Sequence, residues 1–157
     1  MEESLVTNER PKVDFEALRN HANQIPMYKY MGMEVVEVRP GYSRFRLPFR
    51  KELTQPFGVM HGGAIAAVAD SAVAVALWGL VGADKTFTTI ELKINFIAAV
   101  GAGEVIAEGN IVHCGRRTAI GEVTLKDQDG RLVGKCLSTY MILPLEQSSA
   151  VPPEWKP

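Results

Sequence analysis

Apolar residues along this chain fall into three patterns, and each predicts a different kind of element. Phe15, Leu18, Ala22 and Ile25 recur at helical spacing behind Asp14, a side chain suited to capping a helix start. A short helix is expected there, ended by Pro26. MEVVEV (33–38) and YSRFRLPF (42–49) read as strands joined by the turn cluster Arg39-Pro40-Gly41. From Gly62 to Ala83 small apolar residues follow one another almost without a break, which predicts one long helix, hydrophobic nearly all round. Gly79 and Gly82 mark its expected end. TTIELKINF then alternates cleanly, with Ile90, Leu92, Ile94 and Phe96 set against Glu91, Lys93 and Asn95. That period of two predicts a strand with one buried and one wetter face. GEVIAEGNIVH, TAIGEVTLKD and RLVGKCLSTYMIL complete the strands. Gly115-Arg116-Arg117 joins the first two, and Asp127-Gln128-Asp129-Gly130 makes a hairpin turn between the last two.

The expected order is therefore helix, two strands, long helix, then four strands in antiparallel meander. A helix apolar on all sides must be covered on more than one side. A curved sheet wrapped around it covers much of it, and a second copy of the chain the remainder. The class is α+β, with a single domain over 13–145 and flexible ends at 1–12 and 146–157. At 157 residues the chain is long enough to bury a real core.

Composition and charge narrow the partners. A formal net charge of −1 with 22% charged residues shows no basic surplus, so nucleic acid is not an expected partner. The long apolar run has the length of a membrane span, but Asp70 sits near its middle and alanine and glycine supply much of its apolarity. A buried core helix and no membrane association are expected. The polar N-terminus is unlike a secretory leader, and Cys114 and Cys136 lack metal-ligand spacing. A cytoplasmic protein without a bound metal is the expectation. No G-x-S-x-G elbow, Walker A loop or dinucleotide fingerprint is present, and the adjacent His113 and Cys114 point to opposite faces of a strand.

Candidate chemistry concentrates in PFGVMHGGAIAAVAD. Gly62 and Gly63 open the long helix, where the first backbone N–H groups have no partner within the helix. Without side chains there, a ligand carbonyl can approach donors that also carry the positive end of the helix dipole. Asp70 is a carboxylate in apolar surroundings, so it needs a compensating hydroxyl, such as Ser71 or an incoming Thr, or else serves as a general base or nucleophile. Eight residues separate Gly62 from Asp70. On one helix that is about 12 Å along the axis, too far for both to meet one carbonyl. Two copies about a twofold axis bring one subunit's glycine to the other's aspartate.

HGGAIAAVAD, with His61 and Asp70 spaced as they are here, resembles the signature of hotdog-fold acyl-CoA thioesterases of the phenylacetate-pathway (PaaI) type. The element order from about Val13 to Leu143 is similar to that family over most of the chain. The resemblance implies a hotdog fold that hydrolyses an acyl-CoA thioester to free acid and coenzyme A. Gly62 would polarise the thioester carbonyl, and Asp70 across a homodimer interface would act as base or nucleophile. His61 would shape the helix entrance, and Gly63 would contact the substrate. No cofactor is implied beyond the coenzyme A of the substrate, and dimers are expected to pair into tetramers. Two positions depart from the family pattern: Gln55 stands where Asn is frequent, and Ile97-Ala98-Ala99 follows Asn95-Phe96 where many relatives have proline.

Thr88 or Thr89 matches the hydroxyl that some relatives place near the carboxylate, with Thr89 favoured by its spacing to Asn95-Phe96. Thr88, Lys93 and Asn95 are expected on the substrate side. Arg116 and Arg117 are the candidates for coenzyme A phosphates, because guanidinium groups pair with phosphate geometrically. Lys93 and Lys135 are weaker candidates. Trp78, Phe87, Phe57 and Tyr30 are candidates to line an acyl pocket. Two other readings remain: a non-catalytic acyl-CoA-binding or sensing module, and a hotdog dehydratase or hydratase. The hydratase type carries a histidine five residues after its aspartate, where this chain has Val75.

Overall fold

The computed structural model describes residues 12–145, so the expected flexible ends lie outside the described residues except for Lys12. Helix α1 (Phe15–Ala22) starts as expected, with Asp14 Oδ1 accepting from the N–H groups of Glu16 and Ala17 at 3.1 and 3.0 Å. Pro26 does something other than end it. It opens a second short helix, α2 (Pro26–Met31), where its fixed φ suits the first turn and its missing N–H costs nothing. Strands β1 (Glu34–Arg39) and β2 (Tyr42–Pro48) follow, then α3 (Gly62–Val81), β3 (Lys85–Phe96), β4 (Glu104–Cys114), β5 (Thr118–Asp127) and β6 (Leu132–Pro144).

All six strands form one antiparallel sheet in the order β1-β2-β4-β5-β6-β3. The expected four-strand meander is corrected at its first member. The meander is β4-β5-β6, while β3 lies at the far edge against β6 and β4 pairs with β2. The cause is α3, which crosses the sheet between β2 and β3 and delivers the chain to the opposite edge.

Helix α3 can lie close to the sheet because the strands beneath it are cut back to backbone. A Cβ at Gly109 would come within 2.8 Å of the Ala72 carbonyl, and one at Gly121 within 2.4 Å of Val73 Cγ1. Beside Gly109, Ser43 of β2 donates its Oγ proton to the Ala72 carbonyl at 2.6 Å, which satisfies a buried hydroxyl. Val68, Val73 and Leu77 of the helix are fully buried in one core with Phe45, Leu47, Val105, Val123 and Leu125. A span-length apolar helix is thus enclosed mostly by its own sheet, with 56% of its most apolar window buried. Gly82 caps α3 with a φ of 74°, as expected. Gly79 does not mark the end. It lies inside the helix, where a Cβ would press on Phe15 at 3.2 Å, so it serves the packing of α1.

Strand β3 corrects the alternation read from the sequence. A bulge between Thr89 and Glu91 resets the period, so Phe87 before it and Leu92 and Ile94 after it pack on the core. Ile90 and Phe96, expected on the buried face, are 52% and 53% exposed. Because β3 is an edge strand of 12 residues, its outer backbone groups have no neighbouring strand among the described residues.

Candidate active site

Asp70 occupies the middle of α3, on the part of its surface turned toward β3 and β6. Thr89 Oγ1 donates to its carboxylate at 3.0 Å from Oδ1 and 3.1 Å from Oδ2. Tyr140 Oη donates to Oδ1 at 2.5 Å and also lies 2.8 Å from the Asp70 backbone carbonyl. Thr89 and Tyr140 face each other across the β3–β6 ladder, so one pair of strands supplies both hydroxyls. The compensating threonine is therefore Thr89. Ser71 instead lies beside the Tyr28 hydroxyl of α2. Thr88 is exposed on the other side of the strand, away from the carboxylate.

Only neutral groups surround this charge. Among the described residues no Lys, Arg or His lies within 4.0 Å of the Asp70 carboxylate. The field of Asp70 reaches three further groups, all with raised pKa values. Burial, then the Asp70 charge and its hydrogen bond, push the Tyr140 phenol far above its ordinary range. Burial is the main cause for Tyr28 and for Cys136 also, with Asp70 adding to both. The phenols therefore keep their protons and remain donors at neutral pH.

Tyr140 was not visible as a site residue in the sequence. Its one signal is period: Cys136, Ser138, Tyr140 and Ile142 share the buried face of β6. Nothing local links that face to Asp70, which lies 70 residues earlier.

At the other end of the motif the helix start divides its donors. His61 is the N-cap, and its Nδ1 accepts from the Gly63 N–H at 2.8 Å. Ala64 and Ile65 donate to the His61 carbonyl at 2.9 and 3.2 Å. The Gly62 N–H donates to nothing among the described residues. A Cβ on Gly63 would stand 2.9 Å from His61 Nδ1, so the second glycine is what lets the imidazole fold back over the first turn. Gln55 sits in the preceding loop, where its Oε1 accepts from the Phe57 N–H at 2.5 Å and so shapes the approach to the helix.

The remaining candidates separate into two places. Lys93 and Asn95 are exposed on β3 and bond each other, Nζ to Oδ1, at 2.5 Å. Arg116 and Arg117 line an open groove of about 690 Å³ with Lys85, Thr118, Met141 and Leu143. Neither arginine forms an ion pair among the described residues. Lys135 bonds Thr124 instead. Phe57 and Tyr30 are largely exposed, whereas Trp78, Phe87 and Tyr140 form an edge-to-face series with centroid separations of 6.4 and 5.9 Å. Val75 is buried in the core and offers no acid–base group. Within one chain, Gly62 and Asp70 stay two turns apart on α3, as the spacing requires.

Comparison with known proteins adds a family to this geometry. The thioesterase superfamily profile matches residues 57–134, which include the helix start, Asp70, Thr89 and the arginine turn. SSO2140 from Saccharolobus solfataricus, named as a candidate esterase, is 30% identical over 86% of this chain and 94% of its own. A 1,4-dihydroxy-2-naphthoyl-CoA hydrolase from Listeria monocytogenes is 29% identical over 71% of this chain and 89% of its own. The crystal structure of thioesterase HI1161 from Haemophilus influenzae superimposes with a TM-score of 0.80 at 20% identity, covering 89% of this chain and 97% of that one.

Proposed function

Because the chain belongs to the thioesterase superfamily, we propose that it hydrolyses acyl-CoA thioesters in a homodimer whose sites pair Asp70 with the partner's Gly62. The observation that carries this reading is the separation of two groups suited to a reacting carbonyl on one helix. An N–H in the first turn with no acceptor and a carboxylate with no cation among the described residues lie about 12 Å apart along α3. The open edge of β3, with Ile90 and Phe96 half exposed beside it, supports the pairing of two chains about a twofold axis.

The chemistry follows from those two groups. As a base, Asp70 takes a proton from water while the water oxygen bonds to the thioester carbon. The carbonyl electron pair moves to oxygen, where the partner's Gly62 N–H and helix dipole receive the charge. The carbonyl then re-forms, the C–S bond breaks, and the departing thiolate takes the proton from Asp70. As a nucleophile, Asp70 instead bonds the carbon itself, expels the thiolate, and water cleaves the resulting anhydride. Single turnover in oxygen-18 water separates the routes, because only the second can place label in the Asp70 carboxylate. Arg116 and Arg117, without an ion pair among the described residues, are suited to the coenzyme A phosphates, and the Trp78–Phe87 series supports an apolar acyl group. A hydrolysis screen over aromatic and aliphatic acyl-CoAs identifies which.

The shared site is tested by complementation. Gly62→Pro removes the N–H at a first-turn position that tolerates proline, and Asp70→Asn removes the base. Each homodimer is expected to be inactive, while the purified mixed dimer keeps one intact site and about half the wild-type rate. A mixed dimer as inactive as its parents overturns the shared site.

A further inference from the structure

Two hydroxyls meet Asp70, but they do not meet it evenly. Oδ1 lies 2.5 Å from Tyr140 Oη and 3.0 Å from Thr89 Oγ1, whereas among the described residues Oδ2 has only Thr89 at 3.1 Å. A threonine hydroxyl has one proton, so Oδ2 retains the larger share of its lone pairs. We propose that Tyr140 is a positioning residue: with Thr89 it holds the carboxylate by Oδ1 and presents Oδ2 as the reacting oxygen. The inference rests on the thioesterase reading above and adds to it an assignment of the two carboxylate oxygens.

Tyr140 is built for this. Its single hydroxyl proton is shared between Asp70 Oδ1 at 2.5 Å and the Asp70 backbone carbonyl at 2.8 Å, so it holds the carboxylate beside its own helix turn and restricts rotation about χ1 and χ2. The phenol itself has little freedom: it is 1% exposed, packed edge-on to Phe87, and held between Thr89 and Ala119 in the ladders on either side. Its raised pKa keeps the donor proton in place. The titratable groups facing Asp70 are Tyr28 from α2 and Cys136 and Tyr140 from β6, with the Thr89 hydroxyl from β3. No cation stands among them, so no other described group can orient this charge. A carboxylate free to rotate would spend much of its time outside the narrow geometry that attack requires.

The test is a panel on the dimeric enzyme with an acyl-CoA it hydrolyses. Tyr140→Phe is expected to lower kcat roughly ten- to a hundredfold, the loss of one charge-assisted hydrogen bond, with KM unchanged. The acid limb of its kcat/KM profile moves to higher pH, because the lost donor favoured the charged carboxylate. Replacing Tyr140 with 3-fluorotyrosine keeps the shape and makes a more acidic donor, so the acid limb moves the other way. A merely structural role for Tyr140 moves neither limb. Wild-type kcat and pH profiles in both variants, with Asp70→Asn inactive, overturn the role of Tyr140 alone. Full activity in Asp70→Asn overturns the catalytic reading and this assignment with it.

Discussion

Asp70 and Asp127 are both aspartates held by several donors, and they are held in opposite ways. Asp127 closes the β5–β6 hairpin. Its Oδ1 accepts the N–H groups of Asp129 and Arg131 at 3.1 and 2.9 Å, and its Oδ2 accepts Arg131 Nε at 2.8 Å. The Arg131 guanidinium reaches on to the Ala99 carbonyl at 2.9 Å, so cation and anion are both used up in fastening the turn. Hydrogen bonding to Arg131, opposed by some desolvation, holds the Asp127 carboxyl below the usual carboxylate range. Among the described residues Asp70 has two neutral hydroxyls and no cation, and Arg116 and Arg117 have no anion. A carboxylate matched to a guanidinium is a structural clasp. One left with neutral donors keeps its charge available for a reacting group, and an arginine left unpaired keeps its own for a ligand.

The contrast is broken most directly by removing each charge in turn. Asp70→Asn is expected to lower kcat by about 10²–10⁴, the range for a lost general base, while Asp127→Asn leaves kcat at the wild-type value. Steady-state hydrolysis of one acyl-CoA by both variants decides it, and equal losses would erase the distinction. A smaller effect sharpens the arginine half. Arg116→Ala with Arg117→Ala is expected to raise KM for acyl-CoA about tenfold at unchanged kcat, and to leave KM for the matching acyl-pantetheine thioester unaltered. An equal rise for both substrates would detach the pair from the nucleotide phosphates.

The smallest effect belongs to Asp127 and depends on pH. Its folded pKa is depressed, so its contribution to stability is present above the unfolded value, about 3.9, and is lost as pH falls through the folded one. Thermal unfolding of Asp127→Asn is therefore expected to show a lower Tm than wild type at pH 7, with the two proteins converging in acid below about pH 4. A gap that widens in acid would contradict the clasp.

What the amino-acid order determined by itself is local. Asp14 capping α1, the span of α3, its glycine cap at Gly82 and the hairpin at Gly130 all follow from residues within a turn or two of one another. The same holds for the separation of Gly62 from Asp70, since a helix converts residue count directly into length. Thr89 came within reach only through the family resemblance, because the alternation of β3 by itself puts Thr88 on the face of Ile90, Leu92 and Ile94.

Tertiary structure decided the rest, because strand pairing is a long-range choice with no local record. The move of β3 to the sheet edge beside β6 set Tyr140 opposite Thr89 and both against Asp70. The bulge after Thr89 turned Ile90 out of the core face that Leu92 and Ile94 keep, and only the packed sheet reveals a one-residue reset of a period of two. Pro26 shows the same limit in miniature. A proline interrupts one helix and begins the next with equal ease, and the fold around it selects between them.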